Sequence, residues 1–107
     1  MRVFQHYIGG ALVDAATHFE SVDPANGAAW AHMPNASVDD VNAAVDAAEI
    51  GFFSPTWADM TATARGKLLF TLADLIADNA PKLAELETRD TGKIIRETSA
   101  QIAYVAE

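Results

Sequence analysis

Few residues in this chain have both the type and the spacing to do chemistry. His6, His18 and His32 sit in three separate short stretches, without the i, i+4 spacing of a helical metal pair. Each reads as a half-exposed strand residue. Glu85 and Glu87 are two apart, so on a helix they point away from each other and make no acid/base pair. Asp90-Thr91-Gly92-Lys93 is the most pointed cluster. A carboxylate beside a glycine turn can hold a cation or a polar network. The same run also reads as a helix end, with Gly92 left-handed and Lys93 meeting the C-terminal dipole, and spacing alone favours that second reading. The 107 residues contain no cysteine. They therefore supply no thiolate nucleophile, no thiolate zinc site and no disulfide. No dinucleotide glycine fingerprint, P-loop or serine elbow is present either.

The elements that would position these residues fall into two parts. Gln5–Ile8 and Ala11–Val13 flank Gly9-Gly10, a two-residue hairpin signal. His18–Val22 reads as another strand. Asp23-Pro24-Ala25-Asn26-Gly27 is a turn, because proline fixes φ and Asn-Gly tolerates positive φ. A strand over 28–33 follows, ending at Pro34.

From Ser37 onward the pattern is helical. Ser37 predicts an N-cap, with Asp40 three residues on. Val38, Val41, Val45, Ala48 and Phe52 follow at helical spacing, and the helix should stop near Phe53-Ser54, before Pro55. Thr61 predicts the next cap, ahead of Arg65, Leu68, Leu69, Leu72, Leu75 and Ile76. Arg65 reads as a structural side chain at the helix start. Asn79 predicts the cap of a third helix, with Pro81 in its first turn and Gly92 as its stop. A last helix begins near Ile94 and is expected to run on through Tyr104–Glu107. Trp30 and Trp57 read as packing anchors.

Composition bounds what such a chain can be. One small domain is the ceiling for 107 residues. Hydrophobic residues make up 50%, but 22 are alanines, against 25 of Leu, Ile, Val and Phe together. Alanine buries little, so the core is thin for a chain that must stand alone. The formal charge is -8, which argues against nucleic acid or an anionic membrane as partner. Residues 1–60 hold eight acids and one base, while residues 61–107 hold seven acids and six bases. The first part reads as a solvated acidic face. No apolar leader opens the sequence and no stretch reaches the roughly 18 residues of a membrane span, so a cytoplasmic location is expected.

With these elements in place, Tyr7-Ile8-Gly9-Gly10-Ala11-Leu12-Val13-Asp14 resembles the "IGGxWV" opening of the aldehyde dehydrogenase superfamily. Ser21-Val22-Asp23-Pro24-Ala25-Asn26-Gly27 is similar to its "VxNPATGE" turn. The tract from Trp57 through Arg65 to Ile76 resembles its helices. Leu83 to Lys93 resembles its "LAxLExxDtGK" helix end. The resemblance runs from residue 7 to residue 107. Ala11, where a larger residue is usual, and Asp23, where asparagine is usual, depart from the pattern.

The resemblance implies an α/β family fold. This segment would be an N-terminal β arm over 1–36 followed by three to four helices over 37–107, the outer part of a Rossmann-like cofactor-binding domain. It implies NAD(P)-dependent oxidation of an aldehyde to a carboxylic acid, with NAD or NADP as cofactor and homo-oligomers of the complete polypeptide. No position here matches the family's catalytic or dinucleotide motifs, so the 107 residues alone are expected to be inactive, leaning on the rest of a dehydrogenase polypeptide. A stand-alone, non-catalytic module of the same family is the alternative. The resemblance also implies a structural monovalent cation, with Val22 and Asp90 as its ligands here.

Overall fold

A computed structural model describes residues 1–107. Five strands precede five helices. The strands are β1 (Arg2–Val3), β2 (His6–Ile8), β3 (Ala11–Val13), β4 (Thr17–Val22) and β5 (Ala29–Asn35). The helices are α1 (Val38–Phe53), α2 (Pro55–Ala58), α3 (Ala62–Asp78), α4 (Ala80–Thr91) and α5 (Ile95–Val105). The chain divides into two compact units. One holds Met1–Ser21 and Ala29–Met60, and the other holds Val22–Ala28 and Thr61–Glu107.

In the first unit, β2 and β3 pair antiparallel, with His6 opposite Val13 and Ile8 opposite Ala11. Gly9 and Gly10 close the hairpin at φ 60° and 83°. Two successive positive φ values give the turn whose twist matches the strands it joins, which is why glycine is needed at both. β5 lies between β1 and β4 in a three-stranded sheet. Its pairing with β1 is parallel, Arg2 with Ala31 and Val3 with His32. Strand pairing at Arg2–Val3 was not expected, because two residues carry no period.

β5 also runs two residues further than expected and includes Pro34. The reason lies in the register. The Phe4 N–H donates to the His32 carbonyl at 2.9 Å. Two residues on, Pro34 turns its nitrogen the same way, beyond the end of β1, where no donor is required. Trp30 does anchor packing, meeting Phe4 edge to face at 5.9 Å between ring centres. Ala31 is the fully buried apolar residue of this unit.

α1 begins as its sequence demands. Ser37 Oγ accepts from the Asp40 N–H at 3.1 Å, and the Ser37 N–H donates to Asp40 Oδ2 at 2.8 Å. This reciprocal pair is a capping box. α1 ends at Phe53, as Pro55 predicts. The proline then opens a further single turn, α2, which brings the helices to five.

In the second unit, Thr61 Oγ1 accepts from the Ala64 N–H at 3.2 Å and caps α3. Asn79 is the N-cap residue of α4, as expected, and its carbonyl accepts from the Leu83 N–H at 3.0 Å. Its side chain gives α4 no cap bond, and instead donates to the Leu75 carbonyl at 2.9 Å and closes α3. Pro81 still occupies the first turn of α4. α5 closes at Val105, short of the expected run to Glu107. Ala84 and Thr98 are the fully buried residues here, one on α4 and one on α5. No helix is long and apolar enough to cross a membrane.

Candidate functional site

The site with a plan to it is the corner between α4 and α5. Gly92 ends α4 at φ 76°, and its N–H donates to the Thr88 carbonyl at 2.9 Å. The left-handed residue turns the chain back, as the Asp-Thr-Gly-Lys run suggests. Polar links then tie the two helices together. Thr88 Oγ1 and Thr98 Oγ1 lie 2.7 Å apart, and Thr98 also donates to the Ile95 carbonyl at 3.2 Å. With Thr98 fully buried, a hydroxyl there must be satisfied, and it is. Lys93 Nζ bridges Glu87 Oε1 at 2.8 Å and Gln101 Oε1 at 3.1 Å. Lys93 therefore answers specific oxygens on both helices, not only the end of the α4 dipole. Sequence reading did not single out Thr88, Thr98 or Gln101, because two threonines on different helices have no local signature.

The 23–27 turn packs against this corner, within the same unit. A Cβ built on Gly92 would meet the Pro24 side chain at 3.1 Å. Glycine is thus required twice at this position, once for its φ and once for the close approach. The turn holds itself through Asp23. The Ala25 N–H donates to its Oδ1 at 2.8 Å, and the Gly27 N–H donates to its main-chain oxygen at 2.8 Å. An asparagine oxygen would accept the first of these equally well. Asp23 therefore preserves the turn despite its departure from the family pattern.

Val22 and Asp90, the expected cation ligands, belong to these two packed segments. Val22 is the last residue of β4, directly before the turn, and Asp90 lies two residues before Gly92. No group of three or more His, Cys, Asp or Glu side chains gathers anywhere in the chain to hold a metal. One carboxylate and a main-chain carbonyl fit a hard, weakly held cation met largely by backbone oxygens. They do not fit a transition metal, which wants imidazole or thiolate. The tight glycine–proline approach brings the turn after Val22 against the end of α4.

The other chemistry-bearing residues stay apart. His6, His18 and His32 are half-buried on β2, β4 and β5. His18 Nε2 lies 3.5 Å from the Asp14 carboxylate. A groove of about 690 Å³ lies between the β2–β3 hairpin and α1. It is lined by Tyr7, Ile8, Gly9, Gly10 and the Ala44–Ser54 side of α1, with no cationic side chain.

The sequence model of the aldehyde dehydrogenase family matches residues 12–107. The chain belongs to the aldehyde dehydrogenase family. It is 60% identical, over all 107 residues, to a (Z)-2-((N-methylformamido)methylene)-5-hydroxybutyrolactone dehydrogenase of Acinetobacter baylyi, and covers 22% of that protein. It is 41% identical over 101 residues to a betaine aldehyde dehydrogenase of Vibrio vulnificus, covering 92% of this chain and 20% of that one. Among solved structures, an NAD-dependent aldehyde dehydrogenase from Sinorhizobium meliloti superposes over 99% of the chain with a TM-score of 0.92 at 34% identity. A betaine aldehyde dehydrogenase from Staphylococcus aureus, solved with NAD+, gives 0.86 at 32%. The chain thus spans about a fifth of the length of these aldehyde dehydrogenases and corresponds to their N-terminal part. The mixed α/β architecture is that of the family's N-terminal cofactor-binding region.

Proposed function

We propose that these 107 residues serve as the outer N-terminal scaffold of the cofactor-binding domain of an NAD(P)-dependent aldehyde dehydrogenase. Within it, 1–36 forms the β arm and 37–107 the helical part. The complete enzyme is a cytoplasmic homo-oligomer that oxidises an aldehyde to a carboxylic acid. NAD or NADP would accept the hydride there. This chain's part is to supply ordered elements around that domain, and by itself it is inactive. The observation that carries the reading is the family match over residues 12–107, at about a fifth of the relatives' length. The lack of cysteine supports inactivity, since the covalent route implied by the family needs a thiolate.

The same reading gives the α4–α5 corner its role. Val22 and Asp90 hold a monovalent cation there, and the cation stabilises the turn against the helix end. Two measurements test the proposal. The purified chain, given NAD or NADP and short aldehydes, should form no NADH or NADPH above a protein-free control; turnover would overturn the scaffold reading. Thermal melts in potassium, sodium and choline chloride at equal ionic strength should show higher stability with a metal cation. Asp90→Asn should abolish that difference, and identical melts in all three salts would remove the cation.

A further inference from the structure

The 23–27 turn carries a reactive pair that the cation reading leaves unused. Asn26 is followed by Gly27, and both are exposed. The other asparagines, Asn35, Asn42 and Asn79, are each followed by alanine. A side-chain amide can be attacked by the main-chain nitrogen of the next residue, and a Cβ on that residue crowds the approach. Gly27 has none, and the space where one would stand is open, with no atom within 4 Å. Asn26 Oδ1 accepts from the Ala28 N–H at 2.8 Å. That bond spans Gly27 and folds the amide back over it, which keeps Cγ beside the Gly27 nitrogen. The other amides are held elsewhere. Asn35 Nδ2 donates to Thr17 Oγ1 at 3.4 Å, and Asn79 Nδ2 donates to the Leu75 carbonyl at 2.9 Å. Asn42 lies inside α1, where the next main-chain nitrogen is committed to the helix.

We propose that Asn26 is a site of spontaneous deamidation, and that its conversion to isoaspartate loosens the turn from the α4–α5 corner. The Gly27 N–H first leaves the Asp23 carbonyl, to which it donates at 2.8 Å. Its proton goes to a solvent base, and the nitrogen bonds to Asn26 Cγ. Charge collects on Oδ1, where the Ala28 N–H is already placed to meet it. As the Cγ–Nδ2 bond breaks, Nδ2 takes up a proton and leaves as ammonia, and a cyclic imide remains. Water then opens the ring. Attack at Cγ gives aspartate. Attack at the Asn26 main-chain carbonyl gives isoaspartate, in which the chain runs through Cβ and Cγ. Water enters, ammonia leaves, and nothing is oxidised or reduced. Either product adds a negative charge to the already acidic residues 1–60. Isoaspartate also lengthens the main chain by a carbon between Ala25 and Gly27. The Gly27 N–H to Asp23 carbonyl bond and the Asp23 N–H to Ala28 carbonyl bond, at 2.8 and 2.9 Å, both close over that stretch. Pro24, which fits against Gly92, sits in the same turn. The family's "VxNPATGE" turn has threonine at this place, so the reactive pair belongs to this chain and not to the family pattern.

The test ages the purified chain in warm, neutral buffer and follows it by peptide mass. Cleavage after glutamate gives a peptide over 21–49, which holds Asn26, Asn35 and Asn42 together. Fragmentation should place a gain of about 1 Da on Asn26, roughly tenfold faster than on Asn35 or Asn42. Aspartate and isoaspartate forms should separate as distinct peaks. The rate should rise in more alkaline buffer, because the Gly27 amide must lose a proton. The aged chain should melt several degrees below the fresh one, with faster hydrogen exchange over 22–28 and at the end of α4. Asn26→Thr keeps an oxygen that can accept from the Ala28 N–H. It should show no mass gain at residue 26 and no change in melting on ageing. Conversion of Asn26 no faster than that of Asn35 or Asn42 would overturn the proposal. Conversion that leaves melting and exchange as they were would overturn the link to the corner, and so would an equal loss in aged Asn26→Thr.

Discussion

Helix α1 and the α4–α5 corner are both capped as their sequences ask, yet they are held in opposite ways. α1 is fixed at its first turn by the Ser37–Asp40 box, and no residue along it is buried. The corner is fixed by cross-links between two helices, Thr88 to Thr98 and Lys93 to Glu87 and Gln101, with Ala84 and Thr98 fully buried. Local sequence can start a helix, but it does not say what will lie against the helix's apolar stripe. At the corner the partner comes from the next helix along. At α1 the large side chains stay more than half exposed.

Three substitutions would break or sharpen that contrast. The largest effect is expected at Gly92→Val. It forces a β-branched residue to positive φ and drives its Cβ toward Pro24, at a cost of about 3 kcal/mol. Urea denaturation followed by hydrogen exchange should show the loss in α4, α5 and the 22–28 turn. A loss confined to α1 would contradict the corner's account. Thr98→Val is next. It keeps the buried volume but leaves the Thr88 hydroxyl short of a partner, for about 1–2 kcal/mol, read the same way. If the variant proves as stable as wild type, the hydroxyl pair is not what fastens the corner.

Ser37→Ala is the smallest, about 1 kcal/mol, with faster exchange in the first turns of α1. It carries a pH signature. The Ser37 hydroxyl, and after it the Ser37 N–H, hold the Asp40 carboxyl below the usual carboxylate range. A lowered folded pKa means stability that is present above the unfolded value and lost as pH falls through the folded one. The wild type should therefore lose this contribution below about pH 4, and Ser37→Ala should flatten that part of the pH–stability curve. An unchanged acid limb would show that the box does not depend on the charge of Asp40.

Much of this was legible in the sequence, because it is local. Gly9-Gly10, Ser37 with Asp40, Thr61, Pro55 and Gly92 each satisfy backbone groups within a few residues, and each does what its type suggests. Asn79 holds the N-cap position that its type suggests, but its side-chain bond was not legible, because an amide has two ends. Its oxygen could have capped α4, but its nitrogen closes α3 instead. The parallel pairing of β1 with β5 had no pattern to announce it, and α2 is too short to show a period. At the candidate site, Asp90 and Gly92 stood out by type and spacing. Val22 entered only through the family resemblance, since a main-chain carbonyl leaves no mark in a sequence. The Thr88–Thr98 bond was invisible for the same reason as any contact between helices.

The β1–β5 pairing also sets a timetable. Thr88 and Thr98 can meet as soon as one glycine turn forms between them. Arg2 must wait for Ala31, after the hairpin, β4 and the 23–27 turn have all been made. Contacts that close long stretches of chain form late, because their entropy must be spent before they return anything. The Arg2–Val3 strand would therefore be among the last elements to find its place. Until then Trp30 would lack its edge-to-face contact with Phe4.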